Sequence, residues 1–203
     1  TGRPIENPGV RYENAPSLQV PAPFGAHNWH PMAFNPKENL VYIPAQVIPF
    51  AYTPDKGYVF RPGAWNVGTD FLANALPTDQ AQMAALKSMV KGQLIAWDPV
   101  AQKPRFTIEH PYFWNAGVLS TAGGLIFQGA AQGEFAAYSA ADGKKLWSYK
   151  TDNGVIAAPM TYEIDGEQYV AQMVGYGGAG ALSAPFILPD RPRLPGRPVV
   201  FQL

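Results

Sequence analysis

The sequence lacks cysteine altogether, although it is 203 residues long. This absence excludes disulfide bonds, a cysteine-ligated zinc or iron–sulfur site, a thiol nucleophile and a covalently attached c-type haem within these residues. Charge is scarce too, because charged residues make up 15% of the chain and 15 basic side chains balance 15 acidic ones. The sequence therefore does not predict a nucleic-acid partner, which would need a basic surface.

Long apolar runs are also missing. No stretch of about 18 apolar residues occurs, so the sequence predicts no membrane-spanning helix. The polar start from Thr1 to Glu6 does not have the pattern of a signal peptide. A mature exported protein and an internal piece of a longer chain would both begin in this way.

Glycine and proline are abundant instead, with 20 and 21 residues, which favours many turns between short strands. Residues 1–26 and 47–77 are rich in proline and are predicted to be irregular; a loop as long as the second is usually functional or covers something. Short apolar segments bounded by turn residues predict strands over 32–34, 40–43, 94–97, 105–108, 118–121, 125–128, 135–138, 145–150, 157–162, 168–173 and 198–203. An Asp165-Gly166 pair predicts a hairpin turn.

One helix is predicted, from Asp79 to Val90. Asp79 can cap its first turn together with Gln82, and Gly92 follows its end. The apolar positions that share one side of this helix are Met83, Leu86, Met89 and Val90.

A motif repeats after 41 residues. Ala96 is followed ten positions later by Phe106, and Ala137 is followed ten positions later by Trp147, with a turn inside each segment. A period of about 40 to 50 residues with several short strands per unit is typical of a β-propeller. We expect about three blades and therefore an incomplete ring. The alternative is an ordinary antiparallel sheet with a buried tryptophan.

Six segments carry a resemblance to a known family, and they span nearly the whole chain in the family's order. They are Gly25-Ala26-His27-Asn28-Trp29-His30-Pro31-Met32, Tyr42-Ile43-Pro44-Ala45-Gln46, Ala96-Trp97-Asp98-Pro99, Trp114-Asn115-Ala116-Gly117, Ser120-Thr121-Ala122-Gly123-Gly124-Leu125 and Gly175-Tyr176-Gly177-Gly178-Ala179. The sequence resembles the pyrroloquinoline quinone (PQQ) dependent alcohol dehydrogenases, closest to the soluble or haem-containing type. This resemblance implies an all-β fold in which residues 1–203 form about three C-terminal blades of an eight-bladed propeller, with one short helix in an insertion.

The resemblance also implies a cofactor site. Asn28 and Trp29 match the pair that contacts the quinone, Trp114 resembles the tryptophan on which the planar cofactor stacks, and Ala179 resembles a residue whose backbone meets the cofactor edge. An amide can hydrogen-bond a quinone oxygen or carboxylate, and an indole forms a flat wall. For Trp97 and Trp147 we expect packing between blades instead.

No catalytic residue and no metal ligand is predicted in this chain. His27 and His30 stand three apart in a loop without a carboxylate cluster, which is a weak pattern for a metal site. His110 is interpreted as a loop residue. The family's calcium ligands and its catalytic aspartate belong to earlier blades, and their motifs do not occur here.

The resemblance therefore implies an N-terminal propeller portion as partner, present as another chain or as a cleaved half. It further implies a small alcohol as substrate, an electron acceptor such as a cytochrome c, and a periplasmic location. The segment Val47 to Phe71 is predicted to border the substrate entrance. Two alternatives remain: a non-catalytic propeller scaffold with quinoprotein-like repeats, and an inert fragment with open sheet edges.

Overall fold

A computed structural model of the chain describes residues 2–70, 77–178 and 194–203. Within these ranges the chain forms short strands and one helix. The elements are β1 (Ser17–Gln19), β2 (Ala33–Asn35), β3 (Leu40–Val47), β4 (Phe50–Tyr52), α1 (Gln80–Ser88), β5 (Lys91–Asp98), β6 (Lys103–His110), β7 (Val118–Ser120), β8 (Leu125–Ala130), β9 (Glu134–Ser139), β10 (Lys145–Lys150), β11 (Met160–Ile164), β12 (Glu167–Val174) and β13 (Arg197–Gln202). No helix among the described residues is long and apolar enough to cross a membrane.

The larger sheets are three antiparallel blades. The first blade has the strand order β2-β3-β5-β6, the second β10-β9-β8-β7, and the third β11-β12-β13. Consecutive strands within each blade are neighbours, as expected when short turns connect antiparallel strands. The prediction of about three propeller blades is confirmed.

The 41-residue repeat occupies the same place in the first and second blades. Ala96 pairs with Phe106 between β5 and β6, and Ala137 pairs with Trp147 between β9 and β10. The register shifts next to both pairs. In each blade the repeated alanine and aromatic residue are therefore cross-strand partners beside a bulge, which explains why ten positions separate them in both copies.

Each repeated aromatic residue reaches the next blade. A Cβ on Gly143 of the second blade would lie 2.6 Å from the ring of Phe106, so only glycine lets this ring approach so closely. Trp147 lies edge-on to Phe201 of the third blade, with ring centroids 4.9 Å apart. The expected packing of Trp147 between blades is thus observed.

Apolar side chains fill the spaces between the blades. Between the first and second blades, Leu40, Tyr42 and Leu94 meet Ile126 and Tyr138. Between the second and third blades the buried residues are Phe127, Phe135, Ala137, Val155, Val170 and Val174. Burial of such side chains stabilises the stack, since no single sheet can cover both of its faces.

The helix lies in an insertion, as predicted. β3 and β5 are neighbouring strands, so residues 48–90 form an excursion between them. Asp79 caps the helix by accepting a hydrogen bond from the backbone N–H of Gln82 at 2.9 Å. The expected apolar face is only partly covered: Met83 and Leu86 are half-buried, and the helix fully buries none of its residues. Only Val90, beyond the helix end, is buried.

Two short strands were not expected. β1 pairs with β4 over three residues, and both lie in segments predicted to be irregular. Three-residue strands show too little alternation to be seen in a sequence. The predicted strand over 157–162 begins only at Met160, because Pro159 cannot donate a ladder hydrogen bond. The hairpin turn at Asp165 and Gly166 is present, with positive φ angles of 53° and 83°.

Candidate functional site

Three loops meet at one end of the blades, each preceding the first strand of its blade. Pro31 belongs to the loop before β2, and its carbonyl accepts a hydrogen bond from Val118 at 2.9 Å. A Cβ on Gly117 would lie 2.5 Å from the Pro31 ring and 3.0 Å from Ala158, which precedes β11. The close approach at Gly117 therefore brings the three loops together.

Hydrogen bonds from β3 anchor the loop over residues 24–30. Gln46 donates to the carbonyls of Phe24 and Gly25 at 3.3 and 3.1 Å. His27 contacts the Pro44 carbonyl through Nδ1 at 2.7 Å. Gly25 has a φ of 74°, a conformation that favours glycine. These contacts fix where the next three residues lie.

Asn28 is exposed at the surface of this loop. Its Nδ2 donates to the Phe24 carbonyl at 2.8 Å, and its Oδ1 accepts from the backbone N–H of Trp29 at 2.8 Å. One N–H of the amide remains after these two bonds. The side chain is thus oriented by its own loop and keeps a donor for another group.

Trp29 presents a flat surface. Its side chain is 53% exposed, although tryptophan is usually well covered. His30 stacks on one face of the indole, with ring centroids 4.3 Å apart and an interplanar angle of 21°. A Cβ on Gly178 would lie 3.7 Å from Cζ2 of the indole, so the chain after β12 also reaches this ring.

Trp114 lies behind this surface and is only 2% exposed. Its ring meets Phe24 and His30 edge-on, with centroids 5.3 and 4.8 Å apart, and Trp29 at 6.4 Å. Its φ is 62°, a left-handed conformation that costs a bulky residue about 1–3 kcal/mol. Its surroundings therefore impose this conformation.

Buried amides hold the strained segment. Asn115 donates to the Tyr112 carbonyl at 2.8 Å and accepts from the backbone N–H of Ala131 at 2.9 Å. Gln128 donates to the Ala116 carbonyl at 3.0 Å and bonds His110 Nε2 at 2.9 Å. His110 ends β6 and is buried, so its interpretation as a loop residue was wrong. These bonds tie the loop before β7 to the second blade on both sides of Trp114.

Two buried histidines in and beside the site have lowered pKa values. Burial, and to a smaller extent repulsion from His27, lowers the pKa of His30 to about 4, so its imidazole is neutral at pH 7. Burial also lowers the pKa of His110, against the opposing effect of its bond to Gln128. Among residues 2–70, 77–178 and 194–203, no three His, Asp or Glu side chains lie close enough to hold a metal ion.

The structure brings three of the four predicted cofactor residues together. Asn28 and Trp29 lie on one surface with Trp114 behind them, while Ala179 lies outside the described residues. Their contact with a cofactor stays a prediction. Sequence reasoning missed His30 as part of the aromatic cluster, and it missed the buried amides. Only the motif around Trp29 could have suggested His30, because the amides are separated from their partners along the chain.

Comparisons with known proteins identify relatives. The family model "Glucose/ethanol/alcohol dehydrogenase, beta-propeller domain" (PQQ) matches residues 73–170. Quinohemoprotein alcohol dehydrogenase ADH IIB of Pseudomonas putida is 49% identical over 184 residues, an alignment that covers 90% of this chain and 25% of that protein. The 1-butanol dehydrogenase (cytochrome c) of Thauera butanivorans is 42% identical over 211 residues, covering 100% of this chain and 29% of the relative.

A solved structure agrees with these relatives. The crystal structure of quinohemoprotein alcohol dehydrogenase from Comamonas testosteroni matches with a TM-score of 0.84 and 42% sequence identity. The match covers 99% of this chain and 29% of that chain. The chain thus spans about a quarter of the length of the relatives that it matches.

Proposed function

Since this chain is part of a β-propeller of the PQQ-dependent alcohol dehydrogenase family, we propose that it forms one wall of a PQQ pocket in such an enzyme. The complete enzyme would oxidise an alcohol to an aldehyde. PQQ, when bound, would supply the redox chemistry by accepting a hydride from the alcohol carbon. The residues of this chain would bind and orient the cofactor and take no part in proton transfer.

The observation that carries this proposal is the half-exposed indole of Trp29. One of its faces is covered by His30, and the ring still leaves 53% of its surface open. A rigid apolar plane next to a free amide N–H suits a planar heterocycle with polar edges. Packing within the blades buries a large aromatic ring, as it does for Trp114, so packing does not explain why the Trp29 indole stays half-exposed.

Each of the four residues would have its own role at the cofactor. The remaining N–H of Asn28 would donate to an oxygen of the cofactor, and Trp29 would exclude water from one side. Trp114 has no free face in this arrangement, so we assign it the support of Trp29 and His30 in place of direct stacking. Gly178 lies near the indole, which supports a backbone contact at the following residue, Ala179.

Other parts of the enzyme would complete the site. The rest of the propeller would supply the calcium ion's ligands and the general base, since the described residues offer no such cluster. The name of the Thauera relative contains cytochrome c, which supports a cytochrome c as electron acceptor here. A periplasmic location and the substrate-entrance role of the aromatic loop at Val47 to Phe71 are part of the same proposal.

Titration of the complete, PQQ-free enzyme with PQQ in the presence of calcium tests the proposal. We expect saturable binding with alcohol-dependent reduction of the cofactor, and weaker PQQ binding by at least about tenfold in Trp29→Ala, because the variant loses a large apolar contact. Phe34→Ala is the matched control and should leave PQQ affinity unchanged, because Phe34 is an aromatic residue of similar exposure, 54%, on β2 and outside the loop over residues 24–30.

Two results would contradict the proposal. An enzyme that binds no PQQ would exclude the cofactor function, and the propeller would then be a binding scaffold. Equal PQQ affinities for the wild type, Trp29→Ala and Phe34→Ala would exclude the Trp29 wall while leaving the enzyme function intact.

A further inference from the structure

His30 is packed against both tryptophans of the site. Its ring lies nearly parallel to the indole of Trp29, at 4.3 Å and 21°, and almost perpendicular to that of Trp114, at 4.8 Å and 84°. The side chain is 4% exposed. The two indoles also meet each other edge-on at 6.4 Å, so His30 packs against the face of Trp29 and beside Trp114 as the third ring of one aromatic cluster.

Hydrogen bonding through Nε2 does not explain the position of His30. Nε2 is buried and has no partner among the described residues. A buried polar atom without a partner costs free energy, so this nitrogen does not stabilise the fold. The ring is also neutral at neutral pH, because burial lowers its pKa. Neither Nε2 nor a charge accounts for this position, whereas the flat ring contacts both tryptophans.

The loop fixes His30 independently of Trp29. Its neighbour Pro31 accepts the hydrogen bond from Val118 and packs against Gly117, so the backbone after His30 is anchored to the second blade. The backbone before Trp29 is anchored to the first blade instead, through the bonds of Gln46 and His27 to β3 and its loop. Because the imidazole is stacked on Trp29, it restricts where the more exposed indole can lie.

We propose that His30 is a positioning residue of the cofactor wall, whose flat ring sets the plane of Trp29 by stacking against its inner face and bracing against Trp114. This inference rests on the proposed function. It assigns no contact between His30 and the cofactor. It requires a planar ring at this position and does not require an imidazole.

Two apolar substitutions distinguish the need for a flat ring from the need for an imidazole. His30→Phe keeps a flat ring, and His30→Leu fills the space without one. In the complete enzyme we expect the PQQ dissociation constant of His30→Phe to stay within about twofold of wild type, and that of His30→Leu to rise about two- to tenfold, as expected for the loss of one aromatic pair. Urea unfolding at pH 7 would verify that both variants fold; if the leucine variant does not, His30→Met replaces it.

A spectroscopic measurement follows Trp29 without the cofactor. The enzyme is labelled with 5-fluorotryptophan, and the 19F resonance of Trp29 is assigned by its loss in Trp29→Phe. We expect one sharp Trp29 resonance in the wild type and His30→Phe, and a broadened or split resonance in His30→Leu, because the indole is no longer held in one plane.

The outcomes distinguish this inference from the proposed function. If the wild type binds PQQ but His30→Leu matches it in affinity and in the 19F spectrum, His30 does not position Trp29. If His30→Phe is as impaired as His30→Leu, the imidazole itself is needed and the flat-ring explanation is wrong. Absence of PQQ binding in the wild type would contradict the proposed function, and the 19F spectra would still test the stacking.

Discussion

Acid should destabilise this protein through His30. The pKa of His30 is lowered to about 4, first by burial and second by repulsion from His27, whereas an unfolded histidine has a pKa of about 6.5. At a pH between these two pKa values, His30 is protonated in the unfolded chain and neutral in the folded protein. The stability that depends on neutral His30 is therefore complete above about pH 6.5 and is lost as the pH falls towards 4.

The size of this effect follows from the two pKa values. A difference of about 2.5 units corresponds to about 3 kcal/mol, which is a large part of the stability of an ordinary domain. Below about pH 4 the folded state also becomes protonated, and His30 causes no further loss. Phenylalanine cannot bind a proton, so the variant His30→Phe lacks this pH-dependent part of the unfolding free energy.

Urea unfolding of the complete protein at several pH values from 4 to 7 provides the assay. We expect the wild type to lose about 3 kcal/mol more than His30→Phe across this range. Carboxylates and the other histidine with a lowered pKa, His110, titrate in both proteins and cancel in the difference. Parallel pH profiles, differing by less than about 0.5 kcal/mol throughout, would show that His30 is not held neutral by burial.

Two further predictions concern the packing of the blades. Gly129→Ala should cost about 2–3 kcal/mol of unfolding free energy, because a Cβ there would lie 2.2 Å from Val155 Cγ1 and 2.8 Å from its carbonyl oxygen. Gly123→Ala, where the nearest atom is 3.8 Å away, is the control and should change stability by less than about 0.5 kcal/mol; equal urea midpoints for both would refute the reasoning. Tyr42→Phe should cost about 1–3 kcal/mol in the same assay, since it removes the 2.6 Å bond to the buried Ala140 carbonyl between the first two blades. An unchanged midpoint would show that this bond contributes nothing.

Local patterns in the sequence were sufficient for most of the strands. The strand over Lys145–Lys150 was predicted at its observed bounds, and the Asp165-Gly166 turn and the Asp79 cap were found where expected. Strand alternation, turn residues and caps act between residues that are close in the sequence, so they can be read from it. The pairing of β1 with β4 was missed because it depends on two distant segments meeting.

The amino-acid sequence by itself predicted most of the strands, the hairpin turn, the repeat of Ala96 and Ala137, and the motif that contains Asn28 and Trp29. Only the tertiary structure decided that Trp114 is buried in a left-handed conformation and that His30 packs against two tryptophans. The reason is physical: Trp29 and Trp114 are far apart in the sequence and meet only because neighbouring blades stack. Which face of an aromatic ring stays open is set by that stacking, and no local pattern in the sequence contains this information.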